Sequence, residues 1–316
     1  MGEAEISSQF EYSSSFLRIL IPGLIVTTLV SFLLSFSYSQ YLILLKETVD
    51  NSVWALIPLG VTFVFISIFI GLLLYIFIIP LTQLLEGYYF IAYRGNYFIG
   101  VITDMLERIQ WKKFARHEEA YDSGALGSVK RGLAYSRLYD YFSHCLYRIS
   151  NNPQIEDEEL KKRILPTILG NAFSSLEIYP KWKYGMNSIF FWTRIELLMT
   201  PENKKTLDNM RAFVDMFILL TGIFFFAAIG YCLVLAYNKQ FIFSVVSVVL
   251  FITFSLVSYY MAVLSTVNYG YYVRSIFDLY RNDLWVKIKE EQFVYLDKQP
   301  EKKRWCEIYR YLRFHK

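Results

Sequence analysis

The chain has 316 residues, of which 55% are hydrophobic and 19% charged, and its mean hydropathy is +0.32. Soluble domains usually carry about 25% charged residues, so this composition favours a membrane protein over a soluble one. The formal net charge of +4 gives no sign of nucleic-acid binding, and three widely spaced cysteines predict neither a disulfide framework nor a zinc site.

Four stretches without Asp, Glu, Lys or Arg predict four transmembrane helices. They cover residues 19–45, 51–85, 216–238 and 240–273 and contain 27, 35, 23 and 34 residues. About 20 apolar residues cross a bilayer core as a helix, so each stretch is long enough. We therefore predict an all-α integral membrane protein with four transmembrane helices and a helical cytoplasmic domain between helices 2 and 3.

The predicted domains follow from these stretches. Residues 1–85 hold the N-terminal segment and the first hairpin, with spans at about 19–45 and 53–85. A cytoplasmic domain covers 86–211, and a second hairpin covers 212–273, with spans at about 213–238 and 240–266. The last span is expected to continue as a helix, and a basic aromatic cytoplasmic tail covers 274–316.

Basic residues predict the orientation. Of the 32 Lys and Arg residues, 18 lie between the second and third stretches and 11 follow the fourth. The positive-inside rule therefore predicts cytoplasmic N- and C-termini in a multi-pass protein of the plasma membrane, the inner membrane in a bacterium. The second and fourth stretches exceed one crossing, so both helices are expected to emerge into the cytoplasm without a break.

Small residues form stripes on two of the predicted spans. In the first span they include Gly23, Thr27, Ser31 and Ser35, and in the fourth Ser244, Ser247, Ser255 and Ser258, with Phe251 filling a missing turn. Such stripes allow helices to pack closely, within the chain or between subunits. A weakly polar pore lining that is interrupted by a hydrophobic ring is the alternative interpretation.

The predicted cytoplasmic domain has the periodicity of helices, which we expect at about 87–121, 129–150 and 156–178. Tyr179-Pro180 is expected to end the third of them. Thr200-Pro201-Glu202 then supplies an N-cap, a proline at the first helical position and an acid in the first turn. A helix is expected from this point into the third span.

One segment of this domain resembles a signature of uncharacterised prokaryotic multi-span membrane proteins. The matching residues are Leu165-Pro166-Thr167-Ile168-Leu169-Gly170-Asn171, Glu177, Tyr179-Pro180, Tyr184-Gly185, Trp192 and Arg194. The resemblance covers about 30 residues and implies no established activity. Asn171, Tyr179, Tyr184, Trp192 and Arg194 are the residues that would form a ligand pocket or a gating contact. The alternative is that the glycines serve close packing and that Trp192 and Arg194 are interfacial anchors.

The sequence contains no motif that selects a reaction, so we predict no catalytic residue, no cofactor and no metal site. The expected partners are the lipid bilayer, further copies of the chain and, at the tail 301–316, anionic lipid. Nucleic acid is not an expected partner.

Two functions fit this layout. The first is a homo-oligomeric channel or pore with a cytoplasmic helical vestibule, and the two hairpins flanking a domain are similar in layout to bestrophin-type channels. The second is a membrane-anchored signalling or scaffold protein whose cytoplasmic domain binds a partner. The absence of ionisable residues inside the spans argues against a proton-coupled carrier.

Overall fold

A computed structural model describes residues 16–37, 53–124, 127–142, 163–289, 293 and 296–314, and every regular element among these residues is a helix. The all-helical class predicted from the sequence is therefore confirmed. The helices are α1 Ile21–Ser37, α2 Val53–Ile76, α3 Ile78–Glu86, α4 Tyr88–Ala92, α5 Tyr97–Asp122, α6 Val129–Tyr141, α7 Ile168–Tyr184, α8 Ser188–Glu196, α9 Pro201–Tyr237, α10 Phe241–Ile288 and α11 Glu301–Phe314.

The chain divides into two compact units. The first, which we call the membrane unit, comprises Met1–Thr82 and Asp208–Ser265. The second, which we call the helical unit, comprises Gln83–Leu207 and Thr266–Lys316. The helices α9 and α10 contribute residues to both units.

Two described helices, α9 and α10, are long and apolar enough to cross a membrane. A third span is present if α2 from Gly60 onward and α3, which meet at a 49° bend, are counted together. The chain is thus a membrane protein by composition and helix length. The predicted first span coincides with the shorter apolar helix α1, and residues 38–52, which complete the first predicted hairpin, lie outside the described residues.

In the membrane unit, α1 and α2 cross with their backbones almost in contact. A Cβ atom added to Gly23 would lie 1.9 Å from the carbonyl oxygen of Ser67, and one added to Gly71 would lie 2.1 Å from that of Ile19. Only glycine fits at either position, as is usual where transmembrane helices approach closely. The glycines therefore fix how α1 and α2 pack.

One core cluster of the membrane unit lies between α9 and the helices α1 to α3. Leu219, Leu220 and Ile223 of α9 pack against Ile78, with Ile21 and Ile25 beside them. The hydroxyl of Tyr231 donates a 2.6 Å hydrogen bond to the carbonyl of Leu29. Large apolar side chains cover the outer faces and are the surface that lipid would contact. They include Phe65, Phe69, Ile242, Val245, Val249 and Leu256, each between 62% and 79% exposed.

Charged side chains meet where the membrane unit begins along α9. Asp215 is 5% exposed, and its two oxygens lie 3.3 Å from Arg18 Nε and 2.9 Å from Arg211 Nε. A buried carboxylate is costly unless it is paired, so the two guanidinium groups compensate its burial. This three-residue cluster links the start of the first apolar helix to α9.

The helical unit begins with two breaks that the sequence analysis did not predict. Gly87 has a φ of 94° and separates α3 from α4, and residues 93–96 turn the chain again before α5. The expected unbroken helix from span two to residue 121 is therefore wrong. The left-handed backbone at Gly87 ends the helix, and the side chain of Asn96 caps the next one by accepting a hydrogen bond from Phe98 N.

The helix α7 differs from its predicted bounds at both ends. It begins at Ile168, where the side chain of Thr167 accepts a hydrogen bond from Gly170 N at 3.0 Å, and it continues through Pro180 to Gly185. Gly185 ends it in a left-handed conformation with a φ of 78°. The expected end at Tyr179-Pro180 is wrong, because the helix tolerates the loss of the one backbone hydrogen bond that proline cannot donate. The acidic residues 156–159 of the predicted start lie outside the described residues.

The remaining long helices match the sequence more closely. The helix α9 starts at Pro201, with Thr200 Oγ1 accepting from Asn203 N, and runs on for 37 residues. The helix α10 continues for 48 residues, well past the fourth uncharged stretch. Both predictions of continuity are confirmed. The helix predicted at 129–150 ends earlier, at Tyr141, because the backbone of Phe142 leaves the helical conformation; residues 143–150 lie outside the described residues.

Candidate functional site

The small polar residues of α1 lie against α2 within the same chain. Thr27 is 6% exposed; its hydroxyl donates to the carbonyl of Gly23 at 2.7 Å and accepts from Ser67 Oγ at 3.1 Å. Ser31 is half-buried, and the side chain of Ser35 lies outside the described residues. The hydroxyls of Thr27 and Ser67 are thus engaged inside the membrane unit.

The stripe on α10 also faces the interior of the membrane unit. Ser244 donates to the carbonyl of Cys232 at 3.2 Å, and Ser255 donates to that of Thr221 at 2.9 Å. Phe251 packs on Tyr231 with ring centroids 4.8 Å apart. Ser258 is as buried as Ser255, at 7% exposure, and half-buried Ser247 donates to the carbonyl of Ser244. The described contacts are therefore of the helix-packing kind, and the pore lining stays a prediction.

Of the five residues in the helical unit that the sequence analysis singled out, Asn171 organises the turn before α7. Its side-chain oxygen accepts from Leu165 N, and its amide donates to the carbonyls of Leu165 and Thr167. The neighbouring Gly170 is packed against the Glu86 carbonyl, 2.0 Å from where a Cβ atom would lie. These residues hold α7 against the chain at Glu86, and Asn171 is fully buried.

Tyr179 and Tyr184 converge on one carboxylate, that of Asp278. The Tyr179 hydroxyl lies 2.9 Å from both Asp278 oxygens, and the Tyr184 hydroxyl lies 2.6 Å from Oδ1. Lys183 Nζ adds an ion pair at 3.1 Å and also donates to the Tyr179 hydroxyl. The sequence places Lys183 and Tyr184 one turn after Tyr179 on α7, so three donors reach Asp278 from one helix.

Arg274, one turn before Asp278 on α10, is 5% exposed. Its Nη2 donates to the carbonyl of Tyr139 at 3.0 Å and to Ser175 Oγ at 2.9 Å, and its guanidinium lies 4.0 Å from the Tyr139 ring centroid. Within the described part of the chain its Nε has no hydrogen-bond partner, and no carboxylate lies at ion-pair distance. These two hydrogen bonds and the face of the Tyr139 ring compensate the burial of this cation.

Four tyrosines from three helices form a stacked row beside Arg274. We call Tyr121, Tyr135, Tyr139 and Tyr271 the tyrosine row. Consecutive ring centroids are 5.9, 6.1 and 6.3 Å apart. The hydroxyl of Tyr271 donates to buried Asp140 at 2.5 Å, and the guanidinium of Arg131 lies 4.6 Å from the Tyr121 ring centroid. The row is thus an aromatic surface with a cation at each end.

The titration of this site suits binding rather than proton transfer. Burial raises the pKa of Tyr179, and the neighbouring Asp278 carboxylate raises it further. Burial and the hydrogen bond to Asp278 likewise raise the pKa of Tyr184. Burial lowers the pKa of Lys183, but its hydrogen bonds to Tyr179, Tyr184 and Asp278 outweigh this and leave it raised. A general base near neutral pH needs the opposite shift, so these groups act as fixed hydrogen-bond donors.

Trp192 and Arg194 make their described contacts inside the helical unit. The Trp192 ring packs on Phe277 at 5.8 Å between centroids. The Arg194 guanidinium lies 4.0 Å from the Phe190 ring centroid and donates to the Phe190 carbonyl. Neither residue has a described contact with Asp278. Trp192 lies against the residue before Asp278, and neither Trp192 nor Arg194 has a described contact with Tyr179 or Tyr184.

The C-terminal helix α11 is packed by its aromatic face. Trp305 is 2% exposed and contacts the rings of Phe191 and Trp285, while Ile308 is fully buried. The backbone of Lys302 lies against Gly185, where a Cβ atom would meet its carbonyl oxygen at 2.6 Å. The aromatic residues that suggested lipid binding are in part core residues of the helical unit, and the basic residues Lys303 and Arg310 remain exposed.

Sequence reasoning missed Arg274, Asp278 and Asp140, which are central to the site. A signal for two of them exists, because Arg274 and Asp278 are the first charged residues after the fourth uncharged stretch and stand four residues apart. This spacing puts both on one helix face. Asp140 offers no such signal, since its partner Tyr271 is 131 residues away in the sequence.

Among the described residues, no three His, Cys, Asp or Glu side chains come close enough to hold a metal ion. Comparisons with known proteins assign no activity either: no protein-family model matches, no curated protein is significantly similar, and no solved structure matches the fold. The signature resemblance and the bestrophin-like layout stay predictions from the sequence.

Proposed function

We propose that this chain is a membrane-anchored protein whose helical unit lies in the cytoplasm and binds another protein through the tyrosine row. One observation carries the proposal: the row is a half-exposed aromatic surface flanked by cations. Tyr135 and Tyr271 are 45% and 42% exposed, and Arg131 and Arg274 lie on ring faces. Tyrosine and arginine are the residues that most often dominate protein–protein binding energy.

The surroundings of the row support a protein partner of acidic character. The helix α6 supplies two tyrosines of the row and also exposes Val129 and Leu133, at 78% and 61%. Leu133 stands two positions before Tyr135 and so lies on another side of α6, which makes these apolar residues part of the exposed surface of the helix and not of the row. The same helix exposes Lys130 and Arg137, which would attract acidic side chains.

The membrane unit supports anchoring as its role. Its small polar side chains Thr27, Ser67, Ser244 and Ser255 use their hydroxyls within the chain. Its outward faces are apolar. A conduction path needs polar groups that remain available to an ion, so these contacts favour an anchor over the channel that the sequence also suggests.

Photo-crosslinking tests the proposed docking surface. A photoreactive amino acid replaces Tyr135 in the full-length chain, in the membranes where the protein normally resides. Leu279, which is 66% exposed in the same unit and outside the row, is the matched control position. We expect a discrete adduct with a second protein from position 135 and none from position 279. Adding Tyr271→Ala should reduce the adduct about tenfold or more, because truncating a binding hot spot costs about 2 kcal/mol.

Two outcomes would overturn this function. The first is the absence of any adduct from position 135 under conditions where the protein is correctly inserted. The second is a purified assembly of four or more copies arranged around a central cavity, because an anchor is expected to be monomeric or dimeric without an axial opening.

A further inference from the structure

The exposed face of α5 changes character along its length. Its first three turns expose Tyr97, Phe98, Val101 and Met105, at 88%, 72%, 55% and 62%. These positions recur every three or four residues and therefore share one face. The opposite face is buried, with Thr103 and Phe114 fully enclosed. An apolar stripe of this size on an exposed helix face marks a binding surface rather than scattered surface residues.

Basic residues continue the same face directly after the apolar stripe. Arg108, Lys112, Lys113 and Arg116 are all exposed. Within the described part of the chain, none of the four forms an ion pair. The two acidic residues among the apolar turns are neutralised, because Arg94 lies 2.5 Å from Asp104 and 3.1 Å from Glu107. Glu118, Glu119 and Asp122 follow only in the last two turns.

The connection to α3 keeps this stripe near the end of an apolar helix. Only α4 and two turns, at Gly87 and at residues 93–96, separate Glu86 from Tyr97. Five helical residues and about five extended ones reach at most about 25 Å. The short α4 also exposes Tyr88, Tyr89 and Ile91, at 43%, 37% and 37%. The apolar surface is thus continuous in sequence with the bent pair that can serve as a span.

We propose that α4 and the first three turns of α5 lie in the headgroup region of an anionic membrane leaflet, with the basic residues of α5 bound to lipid phosphates. A lipid surface fits both the apolar and the basic part of this face. Aromatic and apolar side chains enter the membrane interface, and the adjacent cations bind anionic lipid. This contact goes beyond the proposed partner binding, which uses α6 and the tyrosine row.

The C-terminal helix was the sequence-based candidate for this lipid contact, but its geometry is less suitable. Trp305 and Ile308 of α11 are buried, and its exposed aromatic residues, Tyr311 and Phe314 at 37% and 70%, are confined to its last turn. The helix α5 combines both features, with the apolar residues in its first three turns and the basic residues directly after them. Charge reversal in α5 and charge reversal in α11 should therefore have different effects on lipid binding.

Spin-label accessibility in nanodiscs tests the proposal. A label is attached at Val101→Cys in the full-length chain in a cysteine-free background, and at Leu279→Cys as the control. Position 279 lies 38 residues along α10, or about 57 Å from its start, beyond the bilayer core. In phosphatidylcholine–phosphatidylglycerol discs, we expect the ratio of oxygen to nickel-chelate collisions to be severalfold higher at position 101 than at 279.

Charge reversal identifies the lipid and separates the two helices. We expect Lys112→Glu, Lys113→Glu and Arg116→Glu together to lower the ratio at position 101 to its value in pure phosphatidylcholine, with about a fivefold shift of the docking equilibrium for each charge. Lys303→Glu with Arg310→Glu should leave it unchanged. The proposal is overturned by a water-like ratio at position 101, by shielding from both reagents, as a second copy would produce, or by an effect of the tail pair alone.

Discussion

At the residue scale, the carboxylate of Asp278 joins three side chains of the helical unit. It accepts hydrogen bonds from Tyr179, Tyr184 and Lys183, all on α7. The burial of the two tyrosines, at 3% and 6% exposure, makes each hydroxyl depend on this acceptor. The site therefore fixes α7 to α10 within the helical unit, close to the tyrosine row.

Removing one hydroxyl should measurably weaken this attachment. Tyr184→Phe deletes the 2.6 Å hydrogen bond to Asp278 and should lower the free energy of unfolding by about 2 kcal/mol, since the acceptor is charged. Denaturant unfolding of the full-length protein in detergent, followed by circular dichroism, measures the change. Tyr97→Phe is the control, because Tyr97 is 88% exposed. Equal stability of the two variants would contradict the assigned role.

The raised pKa values of Tyr179 and Tyr184 predict a stability that falls in alkaline solution. Both pKa values lie above the unfolded value of about 10, so the folded protein retains protons that the unfolded chain releases. Stability from these groups is complete below pH 10 and is lost as the pH rises through the folded pKa values. Each tyrosine should contribute a slope of up to about −1.4 kcal/mol per pH unit between its unfolded and its folded pKa.

The Tyr184→Phe variant isolates one of these contributions. Its unfolding free energy should fall less steeply than that of the natural protein as the pH rises above 10, because one tyrosine with a raised pKa has been removed. Parallel curves would show that Tyr184 titrates at the same pH in the folded and unfolded states.

At the scale of elements, the packing of α1 on α2 depends on glycine at two crossing points. The hydroxyl contact between Thr27 and Ser67 lies in the same interface, so the small residues bring two backbones together and a polar pair then links them. Elsewhere local structure redirects the chain instead of bringing helices together. The chain changes direction at the bend between α2 and α3 and again at the turn at Gly87.

Two alanine substitutions in α2 should have opposite effects. Gly71→Ala places a Cβ atom 2.1 Å from the Ile19 carbonyl oxygen, so the helices must separate and stability should fall by about 1–3 kcal/mol. Gly60→Ala meets no atom within 4 Å and should be neutral or stabilising by up to about 1 kcal/mol, because alanine favours a helix. Denaturant unfolding in the same detergent compares them. Destabilisation by Gly60→Ala equal to that by Gly71→Ala would contradict the close crossing.

At the scale of the whole molecule, polar chemistry is distributed unequally between the two units. The membrane unit engages Thr27, Ser244 and Ser255 internally and exposes apolar faces. The helical unit contains the buried guanidinium of Arg274, the Asp278 network and the tyrosine row. This division favours anchoring by one unit and recognition by the other.

The division predicts that the purified protein does not conduct ions. Full-length protein reconstituted in liposomes should give no chloride, sodium or potassium flux above that of protein-free liposomes, because the described membrane helices leave no row of hydroxyls for an ion path. A known channel reconstituted in parallel confirms that the assay detects flux. Flux that scales with the amount of protein would favour the channel over the anchor.

Features that depend on residues close together in the sequence were predicted best. Uncharged length predicted that α9 and α10 are long helices, and Thr200-Pro201 predicted where α9 begins. The turn at Gly87 was missed because apolar and aromatic residues continue across it, so the composition does not change where the backbone does. The effect of Pro180 was overestimated. The loss of one backbone hydrogen bond does not end a helix whose residues before and after the proline, Tyr179 and Tyr184, are buried.

By itself, the sequence determined that this chain is helical, that it is apolar enough to enter a membrane, and which residues are small or aromatic on each helix. Those properties follow from composition and from spacings within a few turns. Only the tertiary structure decided that the serines of α10 face α9, that Tyr179 and Tyr184 share Asp278, and that Arg274 lies under Tyr139. These pairs join residues 34 to 135 positions apart, and a local pattern carries no information about which distant partner a side chain meets.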